Sequence, residues 1–133
     1  MRGARIAGTG RGSTLAPLST NAAPIATAPG MTDTIKSPED CTTMIDVRAG
    51  VDRTDREIME LLDRRFGYMR AAARIKQDRA AVRDENRKAA VIAAARADAE
   101  GRGLPAPAVE DIWERLVEAS IAYEFEQWDM LRR

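Results

Sequence analysis

An all-α fold is what the sequence predicts: a long first helix, two shorter ones after it, and a second copy of the chain to cover the first. Three observations lead there. Apolar residues recur at steps of three and four, not two. Helix formers dominate, especially Ala, Arg, Glu and Leu, while strand-type runs of Val, Ile and Thr are absent. The longest periodic stretch is also too long for the rest of the chain to bury.

The first helix has a start signal at Ser37-Pro38-Glu39-Asp40: a candidate N-cap, a proline at the first helical position and two acids in the first turn. No Gly-Pro punctuation follows until the low-apolar segment 77–85, so the helix is expected from about Cys41 to Arg79. Gly50 and Gly67 cost it about 1 kcal/mol each. Its stripe is Val47, Val51, Ile58, Leu61 or Leu62, Met69 and Ala72. Two cations interrupt that stripe. Arg65 follows Leu61 by four and precedes Met69 by four. Lys76 comes eleven residues after Arg65, which at about 100° per residue leaves them only about 20° apart around the axis. An inward cation without a partner is costly. Either the two snorkel to water or pair with acids on a neighbouring helix, or an anionic ligand supplies the missing charge.

Asp84 is the expected N-cap of a second helix, from Glu85 to about Glu100, with Gly101 and Gly103 ending it. Leu104-Pro105-Ala106-Pro107 is a rigid linker that also starts a third helix. Its stripe holds Ile112, Trp113, Leu116, Val117, Ser120, Tyr123, Glu124, Gln127 and Leu131, so Glu124 is a third inward charge. A first helix of roughly 35–40 residues spans about 55 Å. A compact domain of this size has a radius of gyration of about 13 Å. Two shorter helices cannot cover such a rod, and an intertwined homodimer follows.

Residues 1–35 read differently. Met1 to Gly30 carries Arg2, Arg5 and Arg11, no acid, and no helical period. Pro17, Asn21 and Pro24 break every apolar run a signal peptide would need. The expectation is a disordered leader or sequence upstream of a true start at Met31, a transit-like leader being the alternative; residues 36–133 form the helical domain. Lys+Arg and Asp+Glu are equal at 21 each, so no global field favours nucleic acid. The single cysteine, Cys41, excludes an intrachain disulfide. The absence of histidine excludes Ser-His-Asp and Cys-His catalysis and histidine metal sites. No run of 18 apolar residues is present, so a cytoplasmic protein with no membrane span is expected.

From Pro38 onward the chain resembles the all-helical chorismate mutases, and among them the isochorismate pyruvate lyase branch. The residues that carry this are Pro38-Glu39-Asp40-Cys41-Thr42, Ile45-Asp46-Val47-Arg48, Val51-Asp52-Arg53, Asp55, Arg64-Arg65, Tyr68, Lys76, Val82-Arg83-Asp84, Arg87 and the Gly103-Leu104-x-Ala106-Pro107 turn. The resemblance covers about 95 of the 133 residues, and the Arg48, Arg65, Lys76, Arg87 spacing is specific as a set. It implies the three-helix chorismate mutase type II fold and a dimer whose first helices cross. Each of two sites would then be enclosed by both chains and would take a cyclohexadiene with two carboxylates, chorismate or isochorismate. Arg48 would reach the partner's site. Its position about 100° off the Arg65 face agrees with that. Arg65 and Arg87 would bind carboxylates, Lys76 would donate to the ether oxygen, and Asp84 would orient the ring hydroxyl. Glu124 falls where many relatives have glutamine and donates to the ether oxygen only when protonated, so activity is expected to fall as pH rises through its titration. Lys88 departs from the glutamate that mutases often carry there.

Both family reactions are pericyclic and need no cofactor, metal or nucleophile. Chorismate rearranges to prephenate, or isochorismate loses pyruvate to give salicylate. Glu124 and Asp84 lean to the mutase, the Pro-Glu-Asp-Cys-Thr entry to the lyase. A non-catalytic helical dimer is the reading from another class, and the inward charges argue against it.

Overall fold

The structure, a computed structural model, describes residues 34–133, so the expectations for the leader lie outside the described residues. Ile35–Arg133 forms one compact unit. It contains three α-helices, α1 (Met44–Ile75), α2 (Glu85–Gly101) and α3 (Ala106–Leu131), with short 3-10 turns at Pro38–Asp40 and Arg79–Val82 and no strand among the described residues. This is the all-α, three-helix arrangement with a long first helix that the periodicity predicts.

Both ends of α1 differ from expectation. Ser37-Pro38 opens only the 3-10 turn Pro38–Asp40, and the Ser37 hydroxyl donates to the Asp40 carboxylate at 2.9 Å. The helix itself starts three residues later than expected, because Thr43 and Asp46 make a reciprocal capping box. The Asp46 N–H donates to Thr43 Oγ1 at 3.1 Å and the Thr43 N–H donates to Asp46 Oδ2 at 3.2 Å. Two orphan amides are satisfied at once, where Ser37 satisfies none with its side chain. Asp46 also accepts from the Thr42 N–H and from Lys36. Those donors, Thr42 foremost, hold its carboxyl down to about 2. At the other end α1 stops at Ile75, and Lys76 turns extended at φ −66°, ψ 129°. The Asp78 side chain then accepts from the Ala80 N–H and opens the next 3-10 turn.

α2 begins where expected, with Asp84 Oδ1 accepting from the Arg87 N–H at 3.0 Å. Its true terminator is Gly103, at φ +71°; Gly101 is still helical. Leu104 N–H reaches back to the Ala99 carbonyl at 2.9 Å and Gly103 N–H to that of Glu100 at 3.1 Å, a left-handed cap that glycine adopts without a Cβ clash.

α3 is the hub: it packs against α1, α2 and the Arg79–Val82 turn. The core is Val82, Val117 and Ile121, flanked by Val91, Ile92, Trp113, Phe125 and Trp128. The C-terminal half of α1 packs on α3 beside this core. There Phe66 meets Tyr123 edge to face, ring centroids 5.0 Å apart, and Arg70 donates to the Tyr123 hydroxyl. Every residue from Val51 to Leu61 is exposed, including Val51 at 52%, Ile58 at 48% and Met59 at 65%.

Candidate active site

The polar cluster lies where the covered half of α1 crosses α3. Arg65 and Lys76 are about three turns apart along α1, roughly 16 Å, whereas Ser120 and Glu124 are one turn apart on α3, roughly 6 Å. The long cationic side chains make up the difference. Arg65 donates to Ser120 Oγ at 2.6 Å, and that hydroxyl donates onward to the Leu116 carbonyl at 2.7 Å. Lys76 Nζ contacts both oxygens of Glu124, at 2.8 and 3.0 Å. Ser120 and Glu124 are each only 3% exposed. A carboxylate this buried is tolerable only when paired.

Arg65 is half-buried, and its partner is a neutral hydroxyl. Desolvation, followed by the charge of Arg87, lowers its pKa. A guanidinium stays protonated regardless, so the physical content is an uncompensated charge. Among the described residues neither Arg65 nor Arg87 pairs with a carboxylate. The contrast with cations off the site is plain. Arg79 grips Asp129 through two nitrogens, Arg83 holds Glu85 and Glu118, and Lys88 sits between Glu114 and Glu118. Arg65, Lys76 and Arg87 against Glu124 leave a surplus of two positive charges.

The six residues singled out from sequence are not all gathered by one chain. Arg65, Lys76 and Glu124 meet on α3, and Arg87 is near enough to Arg65 to repel it. The Arg87 side chain is exposed. Asp84 uses one carboxylate oxygen to cap α2. Arg48 is exposed on the uncovered half of α1. For Lys76 the paired alternative holds in the chain as it stands, whereas Arg65 keeps its charge unmatched. Two grooves of about 450 and 390 Å³ lie on other faces, one beside Asp63, Arg64 and Tyr68, the other between α2 and α3 beside Lys88 and Arg96. None of Arg65, Lys76 and Arg87 lines either.

Sequence reasoning missed three contributors. Ser120 was legible as an inward position but not as the acceptor for Arg65; a hydroxyl among apolar neighbours was the available signal. Trp128 and Arg132 were invisible, because both bind the backbone carbonyl of Lys76, at 3.0 and 2.8 Å.

Residues 47–125 match the family described as chorismate mutase type II. All six singled-out residues fall within that span. The chain is also 38% identical over 98 residues, 74% of its length and 97% of the other's, to a protein named isochorismate pyruvate lyase from Pseudomonas aeruginosa.

Proposed function

This chain belongs to the chorismate mutase type II family, and we propose that it is an enzyme that rearranges chorismate to prephenate within a homodimer. The observation that carries this is the surplus of two positive charges around Arg65, Lys76 and Arg87, which suits a dianionic ring. Arg65 and Arg87 hold the two carboxylates, a role for which a planar fork of donors is fitted. Lys76 has three N–H donors. Two face Glu124, and the third is left for the ether oxygen on which charge develops as the bond breaks. Catalysis then consists of holding a compact reactive conformer and of placing that donor beforehand. Asp84 orients the ring hydroxyl. The uncovered half of α1 supports the dimer, because its apolar stripe lacks a cover within one chain. Arg48 on that half serves the partner's site.

Glu124 adds a second donor to the ether oxygen whenever it carries a proton. Glu124→Gln, a donor at any pH, is therefore expected to flatten the dependence of activity on pH. A Glu124→Gln variant with the parent's pH profile would assign Glu124 only to holding Lys76.

Isochorismate pyruvate lyase activity is the second reading, favoured by the name of the relative that matches over most of its length. The purified protein is to be given chorismate and isochorismate separately, with prephenate, salicylate and pyruvate assayed. Prephenate from chorismate, at the higher kcat/KM of the two, is the expected result. Salicylate and pyruvate as the faster products install the lyase instead, and no turnover of either substrate removes the enzymatic reading.

A further inference from the structure

The residue that carries the reactive ammonium is not held by its own helix. α1 ends at Ile75, and Lys76 is already extended, bonded to α1 only through its N–H to the Ala72 carbonyl at 2.9 Å. Its own carbonyl, one of the groups a helix end leaves without an internal acceptor role to fill, receives two donors from the far end of α3. Trp128 Nε1–H donates at 3.0 Å and Arg132 Nη2–H at 2.8 Å. Arg132 Nη1–H reaches the Ala73 carbonyl one turn back, at 3.1 Å, and the Trp128 carbonyl at 3.3 Å. The guanidinium lies over the Trp128 ring, 4.1 Å from its centroid, so the two donors brace each other. A cation at the negative end of α1 is favourable for the helix as well.

The same helix α3 also bears Glu124, which takes the ammonium. Lys76 is thus fixed at both ends, carbonyl and Nζ, by two residues of α3 and its C-cap, each four residues from the next: Glu124, Trp128, Arg132. That exceeds what helix capping needs. A single glycine or solvent would finish the helix, as Gly103 finishes α2. We propose that Trp128 and Arg132 are positioning residues, which set the Lys76 backbone so that its ammonium meets the substrate's breaking bond. The proposal rests on the functional reading of Lys76 given above and adds residues that touch no substrate.

The test is a cycle of variants in the full-length protein, assayed with chorismate and with isochorismate. Arg132 is exposed, so Arg132→Gln should fold; Trp128→Phe keeps a ring and removes only the N–H, and thermal unfolding checks both. Arg132→Gln is expected to lower kcat about tenfold, a loss of the size that a displacement well under 1 Å produces, with KM within about twofold. In a Lys76→Ala background it should cost nothing more, because the group it positions is gone. If Arg132→Gln and Trp128→Phe are both silent, or cost the same factor with and without Lys76, the positioning role fails while the site reading stands. If Lys76→Ala itself turns over at close to the parent rate, the site reading fails, and the positioning role goes with it.

Discussion

The two halves of α1 have the same apolar period and opposite fates. From Met44 to Leu61 the stripe is uncovered: Ile45 is 77% exposed, and Val51, Ile58 and Met59 are at least half so or close to it. From Leu62 onward it is at least partly covered, and Ala73 is completely buried. The difference is not in propensity, since the helix is continuous through both. It lies in what α3 can reach. A 26-residue helix runs alongside only part of a 32-residue one while it also packs on α2. The half that α3 covers is also the half with inward cations. In one chain, then, α1 is an uncovered apolar surface at one end and a charged wall facing α3 at the other.

The largest effect belongs to the charged wall. Lys76→Ala removes the donor proposed for the ether oxygen and leaves Glu124 buried without its partner. The rate is expected to fall by about 10²–10³, or roughly 3–4 kcal/mol of transition-state stabilisation, read as kcat on the preferred substrate. A variant within about twofold of the parent would show that the covered half of α1 is merely structural. The uncovered half is tested next. Ile58→Asp places a charge in the stripe of a surface proposed to meet its own copy. The expected outcome in analytical ultracentrifugation is loss of the dimer, with activity falling in step because Arg48 no longer reaches a partner's site. A monomeric parent, or a variant that stays dimeric, would break the contrast between the halves.

How much of this could be read from the chain depends on which forces decide each feature. The helices follow from the 3.6-residue period, and Asp84 and Gly103 mark two boundaries by local chemistry alone. The start of α1 was misread because two local signals compete, and the reciprocal box of Thr43 and Asp46 satisfies more amides than Ser37-Pro38 does. Its end was not legible at all: Trp128 and Arg132, 52 and 56 residues away, take the carbonyl at which the helix stops. In the site, Arg65, Lys76 and Glu124 declared themselves by breaking apolar stripes. Arg48, Asp84 and Arg87 break none, and they came only with the family pattern; in one chain Arg48 and Arg87 stand exposed.

The smallest effect sharpens the contrast from the solvent side. Glu118 on α3 holds Arg83, after α1, at 2.9 Å, and Lys88, on α2, at 2.8 Å. The Arg83 bonds, then those of Lys88, keep its carboxyl down at about 2 against an ordinary value of 4.5. Its pKa is depressed on folding, so the stability it adds is present above about pH 4.5 and is lost as pH falls from there towards 2. Glu118→Gln should therefore flatten the acid limb of a plot of thermal midpoint against pH, leave the midpoint at pH 7 slightly lower, and leave kcat unchanged. The shift should shrink in high salt, because these charges face water. A midpoint drop at pH 7 comparable to that of a buried-pair variant such as Lys76→Ala would mean that this network, rather than apolar contact with α3, fastens the covered half of the molecule.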